Sequence, residues 1–200
     1  MTARRQESDL QEVGRAERSR PVLRHLLRHL RIAGIVSLLY VWAYFTTMYF
    51  VPPAQEMIVS GGLMSLLFLP HGVRVLSAWL HGWRSVAYLL PGALLCNQHF
   101  AGERAWDAMI LSGMTVSLVS APLAIGLLRR LVPADALGVG TARVGGVLLV
   151  GAVASVLNMS GLWAVYGLAP LDAVITLLGD MAGLFAALLI MRAGFWLAER

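Results

Sequence analysis

The chain has 200 residues, 58% of them hydrophobic and 14% charged, with a mean hydropathy of +0.71. Soluble domains carry about 45–50% apolar and about 25% charged residues, so a soluble globule is excluded, as is a disordered chain, which needs low hydrophobicity. The net charge is +5 and all 16 basic residues are arginine; with no recognition motif for nucleic acid, this excess reads as an orientation signal for a membrane protein.

A bilayer accommodates about six helices of roughly 20 residues in a chain of this length. The expected fold is therefore an all-α, polytopic membrane bundle. Residues 1–20 are polar and read as a solvated, mobile cytoplasmic tail. Pro21 suits the first turn of a helix. Across 21–31, Leu23, Leu26, Leu27 and Leu30 alternate with Arg24, His25, Arg28 and His29. This amphipathic, basic stretch fits against anionic headgroups and leads into a transmembrane domain over 32–200.

Apolar run length places spans at about 32–51, 57–80, 85–100, 108–128, 144–168 and 171–195. The second is interrupted by Pro70, His71, Gly72 and Arg74, the third holds Pro91 and the fourth Pro122. With the N-terminus inside, the inner segments hold the tail arginines with Arg84, Arg129, Arg130, Arg143, Arg192 and Arg200. The outer segments hold Glu56, Glu103, Asp107 and Asp172, with Arg104 as their one arginine. By the positive-inside rule both termini are cytoplasmic, and the all-arginine composition fits the inner membrane of a bacterium. Trp42, Trp79, Trp83, Trp106 and Trp196 fall near span ends and read as interfacial anchors.

Polar groups at membrane depth need a partner or a purpose. At about 1.5 Å of rise per residue, Asp180, Asn158, Asn97 and Thr115 share one outer-half layer, with Thr46 and Thr47 on the first span. That layer is expected to line a ligand pocket open to the outside, to which His71, a candidate proton switch, and Arg74 are also assigned. Asn158 and Thr115 also suit plain hydrogen bonding between packed helices. The Pro70–Arg74 run predicts a broken helix, with Pro70 removing a donor and Gly72 permitting close approach. Counted down a continuous second span, His71 lies roughly 21 Å and Arg74 roughly 26 Å from the outer surface. Arg74 then either snorkels to the inner headgroups or pairs with Asp180 or an anionic ligand, and the depth mismatch opposes a direct pair unless the helix is broken. Gly179 and Gly183, and the stripe Gly113, Ser117 and Ala121, permit close helix contact. Cys96, the lone cysteine, reads as a small buried hydrophobe.

No cofactor is expected. A bis-histidine haem needs a second histidine level with His71, and His25, His29, His81 and His99 fall near span ends. Zinc lacks clustered ligands. No nucleophile–base set, Walker loop or HExxH occurs, so no enzymatic activity is expected.

The stretch FLPHGVRVLSAWLHGWRSVAYLLPGALLCN, from Phe68 to Asn97, resembles the first membrane-associated sensor (MASE) family, with its Pro-x-Gly break, Gly-x-Arg turn, Pro-Gly pair and following Asn. LLGDMAGLFAALLI at 177–190 is similar to that family's final helix, and the resemblance spans about 57–190. It maps onto Pro70, Gly72, Asn97, Gly179 and Asp180. It implies a sensory module that drives kinase or cyclic-di-GMP domains. This chain departs from the family in its six spans where about eight are usual, in His71, and in having no output domain after Arg200, which implies a separate protein partner. A substrate-binding component of a transporter and an accessory subunit of a membrane complex are the alternatives.

Overall fold

The computed structural model describes residues 2–56, 66–133 and 144–199, with side chains from 24–51, 66–133 and 144–199. Among these residues six α-helices follow in chain order: α1 (Thr2–Glu56), α2 (Leu69–His81), α3 (Arg84–Ala101), α4 (Ala108–Leu131), α5 (Val144–Tyr166) and α6 (Pro170–Ala198). A 3₁₀ turn, Gly102–Trp106, joins α3 to α4.

Four of these are long and apolar enough to cross a membrane: Arg24–Val51 within α1, then α4, α5 and α6. The protein is thus a helical bundle of membrane character. The expected second span is not one continuous helix. Residues 66–68 are non-helical and α2 starts at Leu69; the beginning of that span, 57–65, lies outside the described residues, as does Arg143. At 13 residues α2 is roughly 20 Å long, short of a hydrocarbon core of about 30 Å. Pro70 therefore does not kink a helix; it occupies its first turn, where a missing N–H costs nothing. The backbone of 2–20 also departs from expectation. It continues α1 without a break, as its content of Arg, Glu, Gln and Ala favours.

Nine of the 13 residues of α2 are buried, because α2 packs against all five other helices. It is the centre of the bundle, so its polar side chains face protein and not lipid. Trp79 belongs to this core, with Val75, Ile125, Val150 and Leu184, and is not an interfacial anchor. A second apolar cluster joins α1, α3 and α4 through Tyr40, Leu89, Cys96 and Leu118. Cys96 is buried as a small hydrophobe.

Two backbone interruptions are repaired by side chains of α1. Pro91 disrupts the ladder of α3. The Ser37 hydroxyl donates to Tyr88 O at 2.8 Å and accepts from Gly92 N–H at 3.1 Å, bridging that turn. At the start of α2, Leu69 N–H donates to Thr47 Oγ1 at 3.2 Å and Phe68 N–H to Gly179 O at 2.9 Å. Backbone freed at depth is tolerated where protein satisfies it.

The helices alternate in direction. One end gathers His25, His29, His81 and Tyr88 beside arginines of α1 and α3. The other gathers Tyr49, His99 and Phe100 with Glu103, Arg104 and Asp107 in the α3–α4 turn.

Candidate functional site

The small residues of α6 bring the site together. A Cβ on Gly183 would run into the Phe68 carbonyl and stand 2.8 Å from Leu69 N, and one on Gly72 would stand 2.9 Å from Gly183 O. The Gly179–Gly183 pair thus seats the start of α2 directly on α6. This contact places His71 and Arg74, on the first turns of α2, level with Asp180.

Asp180 is 1% exposed, Arg74 1% and His71 0%. Oδ2 of Asp180 accepts from Asn158 Nδ2 at 3.0 Å and Ser155 Oγ at 3.2 Å. His71 Nδ1 lies 3.3 Å from the same oxygen. Arg74 Nη2 lies 3.7 Å from Oδ1, close enough for an ion pair and too long for a good hydrogen bond. Arg74 Nη1 donates to Ser117 O at 2.9 Å, and the guanidinium stands 5.5 Å from the centre of the Phe68 ring, a cation–π distance. Ser117 Oγ donates to Asn158 Oδ1 at 2.9 Å, closing a network over α2, α4, α5 and α6.

The protonation of His71 follows from its partners. Nε2 lies 3.2 Å from Gly151 O, a group that only accepts, so Nε2 carries a hydrogen. Nδ1 sits between Asp180 Oδ2 at 3.3 Å and Arg74 Nη2 at 3.4 Å. In the neutral ring Nδ1 accepts from Arg74; in the imidazolium it donates to Asp180. The ring can take up a proton without losing its place.

Beside the network lies a cavity of about 330 Å³, within the size range of small-molecule sites. Arg74, Asn97, Ser117, Asn158, Thr176 and Asp180 contribute its polar wall, and Tyr40, Tyr44, Phe68, Phe100 and Tyr166 its aromatic wall. It reaches toward the end of the bundle carrying Glu103 and Asp107, where α3 and α5 end and α4 and α6 begin.

Of the residues singled out in the sequence, Asp180, Asn158, Asn97 and Arg74 meet at this cavity. Asn97 Nδ2 reaches only Met114 Sδ, at 3.5 Å. His71 lies behind the cavity wall, held in the network. Thr115 does not belong: it is exposed and its hydroxyl bonds back to Leu111 O at 2.7 Å, the usual fate of a helical threonine facing outward. Arg74 is buried and paired rather than snorkelling. The depth argument against its pairing with Asp180 fails because α2 starts afresh at Leu69, deep in the bundle. Pro70, Gly72 and Gly179 position backbone: Pro70 begins α2, Gly72 admits α6, and Gly179 O accepts from Phe68.

Sequence reasoning missed Ser155, Tyr40, Tyr44 and Tyr166. Ser155 stands three residues before Asn158 and Tyr40 four before Tyr44, so each pair shares a helix face; the signal was spacing relative to a polar neighbour. Among the described residues no group of three or more His, Cys, Asp and Glu is placed to hold a metal ion. Comparison with known proteins finds no matching family model, no curated relative and no similar solved structure.

Proposed function

We propose that the protein is a non-catalytic sensory or regulatory module of a bacterial inner membrane, binding a small ligand in the cavity beside Arg74 and Asp180 and signalling through a separate protein partner. The observation that carries this reading is the juxtaposition of a buried charge network with a cavity of ligand size. Buried charges are costly unless paired, and here the cation also lines an open space. The resemblance of the Phe68–Asn97 stretch to the first membrane-associated sensor family supports a signalling role. The arginine distribution supports cytoplasmic termini, with the cavity facing outward. α3 then crosses the membrane as well.

Ligand contact at Asp180 or Arg74 would bear directly on α2, which touches every other helix. A ligand shifts such an arrangement only by its differential affinity for two states. The test is a small-molecule screen by thermal unfolding of the purified protein, with Asp180→Asn as comparison. Hits that stabilise the wild type and lose their effect in the variant are expected. Hits unaffected by the variant would sink the cavity assignment. Net uptake of a hit by proteoliposomes would instead identify a transporter.

A further inference from the structure

The ligand's chemical class follows from an imbalance within the network. Asp180 Oδ2 already accepts from Ser155 and Asn158 and faces His71. Arg74 donates from Nη1 to Ser117 O and faces His71 Nδ1 through Nη2, and still has donors to spare. Its Nη2 stands 3.7 Å from Asp180 Oδ1, and its buried Nε has no hydrogen-bond partner among the described residues. An unpaired buried donor is costly, and Arg74 lines the cavity. The guanidinium fork matches a carboxylate in two-point contact. Tyr40, Tyr44 and Tyr166 line the same space. They offer donors to a carboxylate, and the Phe68 and Phe100 rings accept an apolar body. A cationic ligand would meet Arg74, and the carboxylate beside it, Asp180, already faces that cation.

Charge balance fixes a second property. Arg74 and Asp180 cancel while His71 is neutral. An added anion leaves a buried excess of negative charge, which one proton corrects. Against His71 stand Asp180 on α6, Arg74 on α2 and the Gly151 carbonyl on α5; Tyr40 on α1 lies near Arg74, Asp180 and Cys96 on α3, and α4 contributes Ser117. His71 Nδ1, which carries no proton in the neutral ring, already stands 3.3 Å from the carboxylate.

We infer that the cavity binds a small organic monocarboxylate with an apolar or aromatic body, and that binding carries one proton from solvent onto His71 Nδ1. This rests on the reading of the cavity as a ligand site. Before binding, the network holds Arg74 as a cation, Asp180 as an anion and His71 neutral. Afterwards the ligand anion lies on Arg74, and the His71 imidazolium donates to Gly151 O through Nε2 and to Asp180 through Nδ1. No covalent bond forms or breaks, and the net charge stays at zero.

The test is titration calorimetry of the full chain in mild detergent with benzoate, benzamide and benzylamine, in buffers of different ionisation enthalpy. Benzoate is expected to bind with uptake of one proton, its Kd weakening about tenfold per pH unit between about pH 6 and 8. Benzamide is expected to bind at least about tenfold more weakly. His71→Gln should bind benzoate more weakly and without proton uptake. Arg74→Gln should lose benzoate selectively, and the Arg74→Gln/Asp180→Asn double variant repeats that test without an unpaired buried charge. Benzamide or benzylamine binding while benzoate stays inert overturns the anion assignment and leaves the cavity a ligand site. Proton uptake persisting in His71→Gln overturns the role of His71. Failure of all three probes and of a wider panel of small carboxylates overturns the anion assignment. Failure of the unbiased thermal screen as well removes the ligand site itself.

Discussion

At the scale of single residues, the network separates charge from hydrogen bonding. Removing one member of a buried ion pair leaves the other uncompensated, at about 3–5 kcal/mol. Neutral polar contacts between membrane helices average only about 0.6 kcal/mol. Asp180→Asn and Arg74→Gln should therefore each destabilise the bundle far more than Ser155→Ala. The Arg74→Gln/Asp180→Asn double variant should recover most of the loss. Reversible denaturant unfolding in detergent, run as a double-mutant cycle, measures the coupling; additive losses would mean that the pair at 3.7 Å contributes little. The carboxylate was legible in the sequence because an acid nine residues into an apolar run is unusual. The partnership with Arg74 was not, because depth was counted along a helix that does not exist as one piece. Thr115 shows the opposite error: depth alone does not reveal which face of a helix a side chain occupies.

Among the elements, the contact between α2 and α6 depends on backbone approaching backbone. Gly183→Ala is expected to cost roughly 1–3 kcal/mol, since its Cβ would meet the Phe68 carbonyl and the Leu69 nitrogen, neither of which can rotate away. Gly194→Ala, on the same helix with nothing within 4 Å of the added carbon, should be neutral or slightly stabilising by helix propensity. Thermal unfolding of the two variants decides the matter, and equal effects would discount the close contact. A glycine pair on an apolar helix is ambiguous in sequence between packing within a chain and packing between chains. Here its intramolecular use is explained by the non-helical start of α2, which supplies the backbone that fills the groove. Pro70 was likewise recognised as an interruption, and its position at a helix start became visible only once the chain before it left the helix. The long apolar stretches of α1, α4, α5 and α6 were readable from composition, whereas α2 was hidden by being short and central.

For the whole molecule, the alternating helices collect Arg24, Arg28, Arg31, Arg84, Arg129, Arg130 and Arg192 toward one end and Glu103, Asp107 and Asp172 toward the other. The only cysteine is buried, which suits labelling. In a Cys96→Ala background, Glu103→Cys should react with a membrane-impermeant maleimide on intact cells, and Arg130→Cys only after permeabilisation. The reverse pattern would invert the proposed topology and place the cavity mouth on the cytoplasmic side.

The central position of α2 has a consequence for biosynthesis. A segment of 13 residues carrying Arg74 is a poor candidate for independent insertion, since arginine at a helix centre costs about 2.5–3.5 kcal/mol on the insertion scale. Its counter-ion and the glycines that seat it lie on α6, which is synthesised after the other five described helices. Until α6 is made Arg74 therefore waits without Asp180, and the bundle closes only then. A chain stopped before Pro170 should be recognised as unassembled and degraded, while its earlier apolar helices reach the membrane normally.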